Sequence, residues 1–295
     1  MGRLRMPVLA FESVHFRYGD QTAGLADCSL HFEAGSRNAL LGANGSGKTT
    51  LLLHAAGLLR PEAGRLMLDG VPLDYSRAGL HALRRRVGLV FQNPDNQLFG
   101  ATIAEDVSFG PLNLGLDAPT VEARVHAALA VVGLSALAGA PVHQLSFGQK
   151  KRVCIAGVLA MQPDLLLLDE PMAGLDPAMQ AEMQALLERL SAAGVSIVLA
   201  THDIDFAYAW ADALHVLAAG RCIASFPASA LPAHTARLQA AGQPLPGVLR
   251  LETALSARGI TVPPLRSLDA LITHLSPSSG PSNRAAGDGR PQENP

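Results

Sequence analysis

A glycine-rich loop between an apolar run and a helical pattern restricts the fold of this chain more than any other segment. The run NALLG (38–42) leads into Gly42-x-x-x-x-Gly47-Lys48-Thr49, and TTLLLHAAGLL then continues with the spacing of a helix. Glycines allow backbone N–H groups to turn inward around phosphate oxygens, and the start of a helix adds a favourable dipole. The order of strand, loop and helix therefore predicts a site for phosphate groups.

Lys48 strengthens this interpretation, because the chain has only three lysines, Lys48, Lys150 and Lys151. An ammonium group at this position suits the β- and γ-phosphates of a nucleoside triphosphate, and the hydroxyl of Thr49 suits Mg²⁺. The alternative is a glycine-rich turn that only caps a helix, and that alternative leaves the lysine unexplained. The segment therefore predicts a P-loop.

Two further apolar runs end in polar residues that could serve a nucleotide. LLLLDEP places Asp169 and Glu170 at the end of one run, and VSIVLAT is followed by His202. Ligands of open α/β sheets bind beyond the carboxyl ends of the strands, so Asp169 is expected to serve Mg²⁺ and Glu170 to orient the attacking water. An acidic turn is the alternative for the two carboxylates, and a structural role is the alternative for His202.

Strand and helix patterns alternate along the chain, which predicts an α/β fold with a parallel sheet. Short strands with turns are expected over residues 8–40, and mainly helices over about 77–163. LLLL (165–168) and VSIVLAT (195–201) predict strands that are buried on both faces, with an amphipathic helix between them.

The composition changes after about Phe226, where Pro and Ala become frequent and helical patterns return only in part. From Pro277 onward the chain is too polar and too rich in Pro, Gly and Ser to form a core. We therefore expect a nucleotide-binding domain over 1–226, a small C-terminal α/β extension over 227–276 and a disordered tail over 277–295.

Composition argues against several classes of protein. The 295 residues, 48% hydrophobic and 16% charged, can bury a large core, and the formal charge of −2 argues against a nucleic-acid partner. Cys28, Cys154 and Cys222 match neither a disulfide framework nor a zinc site, and the ten histidines lack metal-ligand spacing. No apolar run is long enough for a signal peptide or a membrane span.

The segment LSFGQKKR (145–152) supports two compatible interpretations. Ser146 and Gln149 have the spacing of a capping box at the start of a helix. The capping box leaves Gly148 and the three cations at the end of the segment unexplained, since cations in a first turn oppose the helix dipole. A nearby anion would account for them.

Together these motifs resemble those of the ATP-binding-cassette (ABC) ATPases, across about residues 8–226. The resemblance rests on residues 42–50, Gln92, 145–149, 165–170, 174–176 and His202. It implies a P-loop NTPase cassette with a mostly parallel sheet core, an N-terminal antiparallel β subdomain and a helical subdomain. It also implies a head-to-tail pair of cassettes with ATP between them, so that the P-loop of one faces the LSFGQ segment of the other.

The resemblance implies roles for individual residues. Tyr18 would stack on adenine, Asp176 would couple the two sites, and Ser146 and Gly148 would bind the γ-phosphate of the opposite subunit. The implied nucleotide-binding set is Tyr18, Gly42, Asn44, Gly45, Ser46, Gly47, Lys48, Thr49, Thr50, Gln92, Ser146, Gly148, Gln149, Asp169 and Asp176. The implied catalytic set is Glu170, His202, Gln92 and Lys48, and the implied Mg²⁺ set is Thr49, Gln92 and Asp169. Phe147 departs from the family pattern, in which a glycine is common.

Within the family, residues 90–110 and LSFGQKKR look like the energy-coupling-factor importers, particularly the cobalt and nickel branch. The residues after Phe226 look like that group's C-terminal extension, which contributes to pairing of the ATPase subunits. This resemblance implies a second ATPase subunit, identical or paralogous, a transmembrane coupling subunit and a substrate-specific membrane subunit. It places the chain at the cytoplasmic face of the cell membrane and implies ATP and Mg²⁺ as ligands, without nucleic acid.

Several alternatives stay open at this point. Another ABC importer or exporter would carry the same cassette, and a soluble ATP switch is an alternative of a different class. An ordinary polar loop is the alternative for residues 95–97. The sequence does not choose among cobalt, nickel and a vitamin as the transported substrate.

Overall fold

The computed structural model describes residues 7–19 and 22–276, and its strands form two sheets. The strands are β1 (Pro7–Arg17), β2 (Ala23–Glu33), β3 (Arg37–Leu41), β4 (Ala63–Leu68), β5 (Val71–Pro72), β6 (Val87–Val90), β7 (Leu165–Asp169), β8 (Ser196–Thr201), β9 (Ala213–Ala218) and β10 (Arg221–Pro227). The helices are α1 (Lys48–Ala55), α2 (Arg77–Arg86), α3 (Ile103–Asn113), α4 (Ala118–Val131), α5 (Phe147–Leu159), α6 (Pro177–Ala192), α7 (Ile204–Trp210), α8 (Thr235–Ala240), α9 (Gly247–Ser256) and α10 (Leu268–Leu275). This order of elements confirms the predicted α/β fold.

The first sheet is antiparallel and has four strands in the order β2-β1-β4-β5. Buried and exposed side chains alternate toward the end of β2, because one face of this sheet packs on the core. Phe11 of β1 and Phe32 of β2 pack edge to face, with ring centroids 6.3 Å apart. The strands expected over residues 8–40 and the N-terminal antiparallel subdomain are confirmed.

The second sheet has six strands in the order β10-β9-β3-β8-β7-β6. Its strands run parallel except β10, which pairs antiparallel with β9 at one edge. Every residue of β7 and β8 is buried, as expected for parallel strands with both faces covered. The two buried strands predicted at 165–168 and 195–201 are confirmed, and the carboxyl ends of β3, β8 and β7 lie side by side.

The region from 77 to 163 contains a strand that the sequence analysis did not predict. The four residues of β6 directly follow α2, and so short an apolar run cannot be separated from a helix by periodicity. Parallel pairing with β7 decides their conformation. The rest of the region is mainly helical, and α3, α4 and α5 pack against one another as the expected helical subdomain.

The C-terminal part corrects the expected α/β extension. Among the described residues after β10 the structure contains helices and no strand. The stretch ITVPPLR, in which proline lacks a backbone N–H, forms no regular element. No helix in residues 7–19 and 22–276 has both the length and the apolar character needed to cross a membrane.

The chain divides into two compact units between Pro246 and Gly247, whereas the sequence analysis expected a boundary near residue 226. The boundary lies later because residues after β10, among them Leu231 and Leu238, bury their side chains completely within the first unit. In the second unit α9 and α10 pack against each other, with Leu271 buried. As domain limits, 1–226 and 227–276 stay predictions, and the predicted tail 277–295 lies outside the described residues.

A buried hydrogen-bond network joins β3, β9 and β10. The Nε2 atom of His215 lies 3.1 Å from Oδ1 of Asn38, and its Nδ1 atom lies 2.8 Å from Oγ of Ser225. Burial, together with the smaller effect of the nearby His31, lowers the pKa of His215 to about 3. The imidazole is therefore neutral in the folded protein near pH 7, where one ring nitrogen donates a hydrogen bond and the other accepts one.

Acidification from pH 7 to pH 5 is expected to lower the free energy of unfolding by about 2 kcal/mol through His215 alone. The unfolded chain takes up a proton below its pKa of 6.5, whereas folded His215 does not until the pH approaches about 3. The stability present above pH 6.5 is therefore lost progressively as the pH falls toward 3. Urea unfolding at both pH values should show that His215→Gln loses about 2 kcal/mol less than the parent.

The exposed His126 offers a matched control for this experiment. His126→Gln should keep the pH dependence of the parent. If His215→Gln also kept it, the buried imidazole would not be the group that responds to acid.

Candidate nucleotide-binding site

A cavity of about 610 Å³ lies at the edge of the second sheet where β3, β7 and β8 end. The loop after β3 forms its floor, Asp169 ends β7, and His202 directly follows β8. The lining residues are Tyr18, Thr22, Ala23, Gly24, Ala43, Asn44, Gly45, Gly47, Lys48, Thr49, Thr50, Gln92, Asp169, Glu170, His202, Gly242 and Gln243. The structure thus brings together most of the residues that the sequence analysis placed at the nucleotide.

The loop between β3 and α1 has the backbone that the glycine pattern predicts. Gly45 and Gly47 have φ angles of 78° and 105°, a region in which residues with a Cβ atom are strained. A Cβ on Gly47 would also lie 2.7 Å from the carbonyl oxygen of Gly24. Gly47 caps α1 without any side-chain acceptor, so the first amides of the helix are available to an anion.

Lys48 extends back along this loop and is almost fully buried. Its Nζ atom donates hydrogen bonds to the carbonyl oxygens of Gly42 at 2.7 Å and Ala43 at 3.2 Å. An ammonium group has three donors, so one remains for a ligand. Burial lowers the pKa of Lys48, although the negative charges of Glu170 and Asp169 act in the opposite direction.

Ser46 lies under the same loop, and its hydroxyl has no hydrogen-bond partner although it is buried. A buried hydroxyl without a partner is costly, because it has lost its hydrogen bonds to water. Ser46 does not line the cavity, and its hydroxyl lies against Gly42, where an added Cβ would collide with it.

Thr49 and Asp169 form an oxygen-rich pair beside the loop. The Thr49 hydroxyl donates to Oδ2 of Asp169 at 2.8 Å. Burial raises the pKa of Asp169, and the hydrogen bond from Thr49 partly offsets this shift. Hydroxyl and carboxylate oxygens are the ligands that Mg²⁺ prefers.

Glu170 and His202 form a second pair at the same edge. Oε2 of Glu170 lies 3.0 Å from Nδ1 of His202, whose side chain is 68% exposed. The backbone of Glu170 has a φ angle of 47°, and its N–H donates to the carbonyl oxygen of Ala200 in β8 at 2.9 Å. A non-glycine residue in this region is strained, and such residues often lie at functional sites.

Tyr18 forms the other end of the cavity. Its hydroxyl lies 2.9 Å from the hydroxyl of Thr50, and its ring packs edge to face on Phe16 at a centroid distance of 5.1 Å. The ring of Tyr18 is partly exposed, so a flat ligand could stack on it.

Six residues of the predicted nucleotide-binding set do not line this cavity. Gly42 and Ser46 belong to the loop before α1, and the other four lie at the starts of helices. Ser146 and Gln149 form the predicted capping box of α5, with hydrogen bonds of 2.9 and 3.2 Å, and Gly148 lies in the first turn of that helix. Asp176 caps α6 by accepting a hydrogen bond from the N–H of Met179 at 2.8 Å. The capping box is confirmed, while a role at the nucleotide of a partner stays a prediction.

The three cations after Gln149 do not need an anion from outside. Lys150 forms an ion pair with Asp95 at 2.7 Å, and Arg152 lies 3.4 Å from Glu182. Lys151 is bonded to backbone carbonyls within the chain. Folding supplies partners for all three cations from residues distant in the sequence, so the cations alone do not require an anion, and an anion beside the start of α5 stays a prediction.

The cavity also contains residues that the sequence analysis missed. Ala43 occupies an unspecified position of the glycine motif, and Gly24 lies so close to Tyr18 and Thr50 that an added Cβ would approach them within 3.2 Å. Gln243 comes from the segment after α8, and its side-chain oxygen is buried without a hydrogen-bond partner. No pattern in the sequence pointed to Gln243, since only folding brings it to the cavity.

The comparisons with known proteins agree with this geometry. The family model for ABC transporters matches residues 25–173. The chain is 48% identical over 245 residues to the cobalt import ATP-binding protein CbiO of Rhodobacter capsulatus, covering 83% of this chain and 88% of that protein. It is 46% identical over 218 residues to the energy-coupling factor transporter ATP-binding protein EcfA of Methanocaldococcus jannaschii, covering 74% of this chain and 78% of that protein.

Among solved structures, that of cbiO1 from Clostridium perfringens, part of the ABC transporter complex cbiONQ, matches with a TM-score of 0.72. The two chains are 40% identical, and the match covers 86% of this chain and 99% of the other. From its family match, its relatives and its fold, this chain belongs to the ABC transporter family, as an ATP-hydrolysing ATP-binding cassette.

Proposed function

We propose that this chain is the ATP-hydrolysing subunit of an energy-coupling-factor importer for cobalt, nickel or a vitamin. The observation that carries its chemistry is the convergence of Lys48, Thr49, Asp169 and Glu170 on one cavity at the sheet edge. The identity with CbiO of R. capsulatus and EcfA of M. jannaschii supports the importer class, and so does the resemblance of residues 90–110.

The cavity fits a nucleoside triphosphate in two respects. The first amides of α1 and the remaining donor of Lys48 suit the β- and γ-phosphates. Tyr18 lines the same cavity, and its partly exposed ring can stack on adenine.

The cavity also fits Mg²⁺, because Thr49 and Asp169 present oxygen atoms that already lie within hydrogen-bond distance. Gln92 lines the same cavity and can supply a third oxygen. Mg²⁺, when bound, would neutralise charge on the phosphate oxygens and help to order the attacking water. In the protein itself, the burial that raises the pKa of Asp169 makes a cation beside this carboxylate favourable.

Hydrolysis requires a group that orients water and accepts its proton. Glu170 has the position for this role, since its carboxylate lies at the cavity beside His202. The exposed imidazole of His202 can hold the Glu170 carboxylate through Nδ1 and contact the γ-phosphate with its other nitrogen.

The proposed ATPase acts as a pair of cassettes. Ser146 and Gly148 lie at the start of α5, outside the cavity of their own chain, where they can meet the γ-phosphate held by a partner. Asp176 at the start of α6 would couple the two sites. ATP binding would then favour the closed pair, because only the triphosphate makes these contacts, and hydrolysis would reopen it.

The membrane subunit is expected to contact an apolar groove beside Gln92. Phe91, Phe99 and Phe109 line a cavity of about 470 Å³, and the ring of Phe99 packs edge to face on that of Phe109 at 4.5 Å. Phe99 is 63% exposed and Phe109 49%, so the two packed rings form an exposed apolar patch of the kind that marks interaction sites. This groove supports a peripheral position of the chain on a membrane complex.

Purification of the tagged chain from detergent-solubilised membranes tests the proposed function. The chain is expected to bring with it a coupling subunit and a substrate-specific subunit, which mass spectrometry would identify. Phe99→Ser should lose these companions, whereas Val71→Ser, at an equally exposed site on β5, should keep them. Recovery of the parent alone would favour a soluble ATP switch, and exporter subunits would contradict the importer class.

A further inference from the structure

Lys151 is the third lysine of the chain, and the function described so far makes no use of it. It lies in α5 and is only 3% exposed. Its Nζ atom donates to the carbonyl oxygens of Glu170 at 3.0 Å, Pro171 at 2.9 Å and Ala173 at 2.7 Å. All three donors of the ammonium group are therefore spent on one short segment that directly follows β7.

The segment 170–173 has a backbone conformation that requires stabilisation. Glu170 has a φ angle of 47°, a left-handed conformation that is strained for a residue with a Cβ atom. Three carbonyl oxygens that converge on one point also repel one another unless a donor lies between them. The charged donor at their centre removes this repulsion and stabilises the turn that carries Glu170.

The ring of Phe147 covers the Lys151 ammonium and the end of the turn that it contacts. It lies one turn before Lys151 in α5, and the Lys151 ammonium lies 5.4 Å from the centroid of its ring. A Cβ on Gly174 would lie 2.9 Å from the Phe147 ring, so the ring also packs on the end of the turn. The aromatic residue that replaces the common glycine therefore contacts both the lysine and the segment that the lysine holds.

Burial lowers the pKa of Lys151 to about 8, whereas the negative charges of Glu170 and Asp169 and the nearby Cys154 act to raise it. Keeping an ammonium group in such surroundings is costly, and a lysine that served only to fill space could be replaced by an apolar side chain. The three hydrogen bonds to the turn offset this desolvation cost.

We propose that Lys151 is a positioning residue for ATP hydrolysis, which holds the turn 170–173 so that the Glu170 carboxylate stays beside His202. This inference rests on the proposed role of Glu170. Since Ser146 begins the same helix, the contact also joins the start of α5, which is expected to meet the partner's nucleotide, to the water-orienting group of its own subunit.

Steady-state hydrolysis by Lys151→Met tests the proposal, because methionine has a similar length and no donor. We expect kcat to fall about 10- to 100-fold, as for a small displacement of a catalytic group. KM and the affinity for ATP should stay within about twofold of the parent, since the P-loop is untouched. Lys150→Met is the matched control, because the neighbouring ammonium forms an ion pair with the exposed Asp95 and does not touch the turn 170–173, and it should keep the parent kcat.

A double variant separates positioning from general support of the fold. In single-turnover experiments Lys151→Met combined with Glu170→Gln should hydrolyse ATP at nearly the rate of Glu170→Gln alone, because both changes act through one group. Losses that multiply would overturn the proposal, and so would a parent-like kcat in Lys151→Met.

Two further results keep the outcomes distinguishable. If Glu170→Gln itself hydrolyses ATP like the parent, the proposed function fails at Glu170, whatever Lys151 does. If Lys151→Met does not fold, as judged by circular dichroism, Lys151→Gln replaces it, since an amide keeps two of the donors. A smaller fall in kcat with unchanged KM is then expected, and an unchanged kcat would refute the positioning role.

Discussion

Glu170→Gln is expected to bind ATP normally and to hydrolyse it about 10²- to 10⁴-fold more slowly than the parent. The substitution keeps the size of the side chain and its contact with Nδ1 of His202, but an amide cannot accept the proton of the attacking water. Binding should be unchanged, because the substitution leaves Lys48 and the first amides of α1, which are expected to hold the phosphates, untouched.

The same variant should accumulate as a closed pair when ATP and Mg²⁺ are present, because the step that reopens the pair is slow. Gel filtration with and without ATP measures this, and release of inorganic phosphate measures the rate. Glu188→Gln provides the control, since its exposed carboxylate accepts a hydrogen bond from Gln184 on α6 and does not line the cavity. A Glu170→Gln protein that turns over like the parent would remove this residue from the mechanism.

Lys48→Ala is expected to lose both ATP binding and hydrolysis. A hydrogen bond to a charged group contributes about 1.5–3 kcal/mol, so the loss of the ammonium should weaken ATP binding by about 10- to 150-fold. Glycines and helix amides remain in this variant, but they supply no full positive charge to the γ-phosphate.

Thermal unfolding distinguishes loss of the ligand contact from loss of the fold. Burial lowers the pKa of Lys48, which shows that the folded chain holds this charge at a cost when no phosphate is bound. Lys48→Ala should therefore unfold near the temperature of the parent without nucleotide, while the upward shift that Mg-ATP produces in the parent should disappear. Hydrolysis by Lys48→Ala near the parent rate would contradict the phosphate role.

The P-loop could be predicted because its chemistry is local. Gly45, Gly47, Lys48 and Thr49 are neighbours in the chain, and the backbone angles that they need follow from residue type. The meeting of Asp169 and His202 could also be predicted, since the carboxyl ends of neighbouring parallel strands share one edge of a sheet.

Pairing over long distances could not be predicted in the same way. VGLV has no periodicity of its own, and only the neighbouring strand β7 makes it a strand. Lys150 and Lys151 are adjacent in sequence, yet one forms an exposed ion pair while the other is buried against the turn that carries Glu170. The environment of each lysine depends on which face of α5 packs against the rest of the chain. Residue propensities contain no information about that orientation.

The sequence by itself determined the glycine loop, the buried strands and the family, because each depends on residue types at short or regular spacing. The tertiary structure alone decided the partners of Lys151, the position of Gln243 in the cavity and the helical form of the residues after β10. These features depend on which buried groups find hydrogen-bond partners, and residues far apart in the chain supply those partners only after folding.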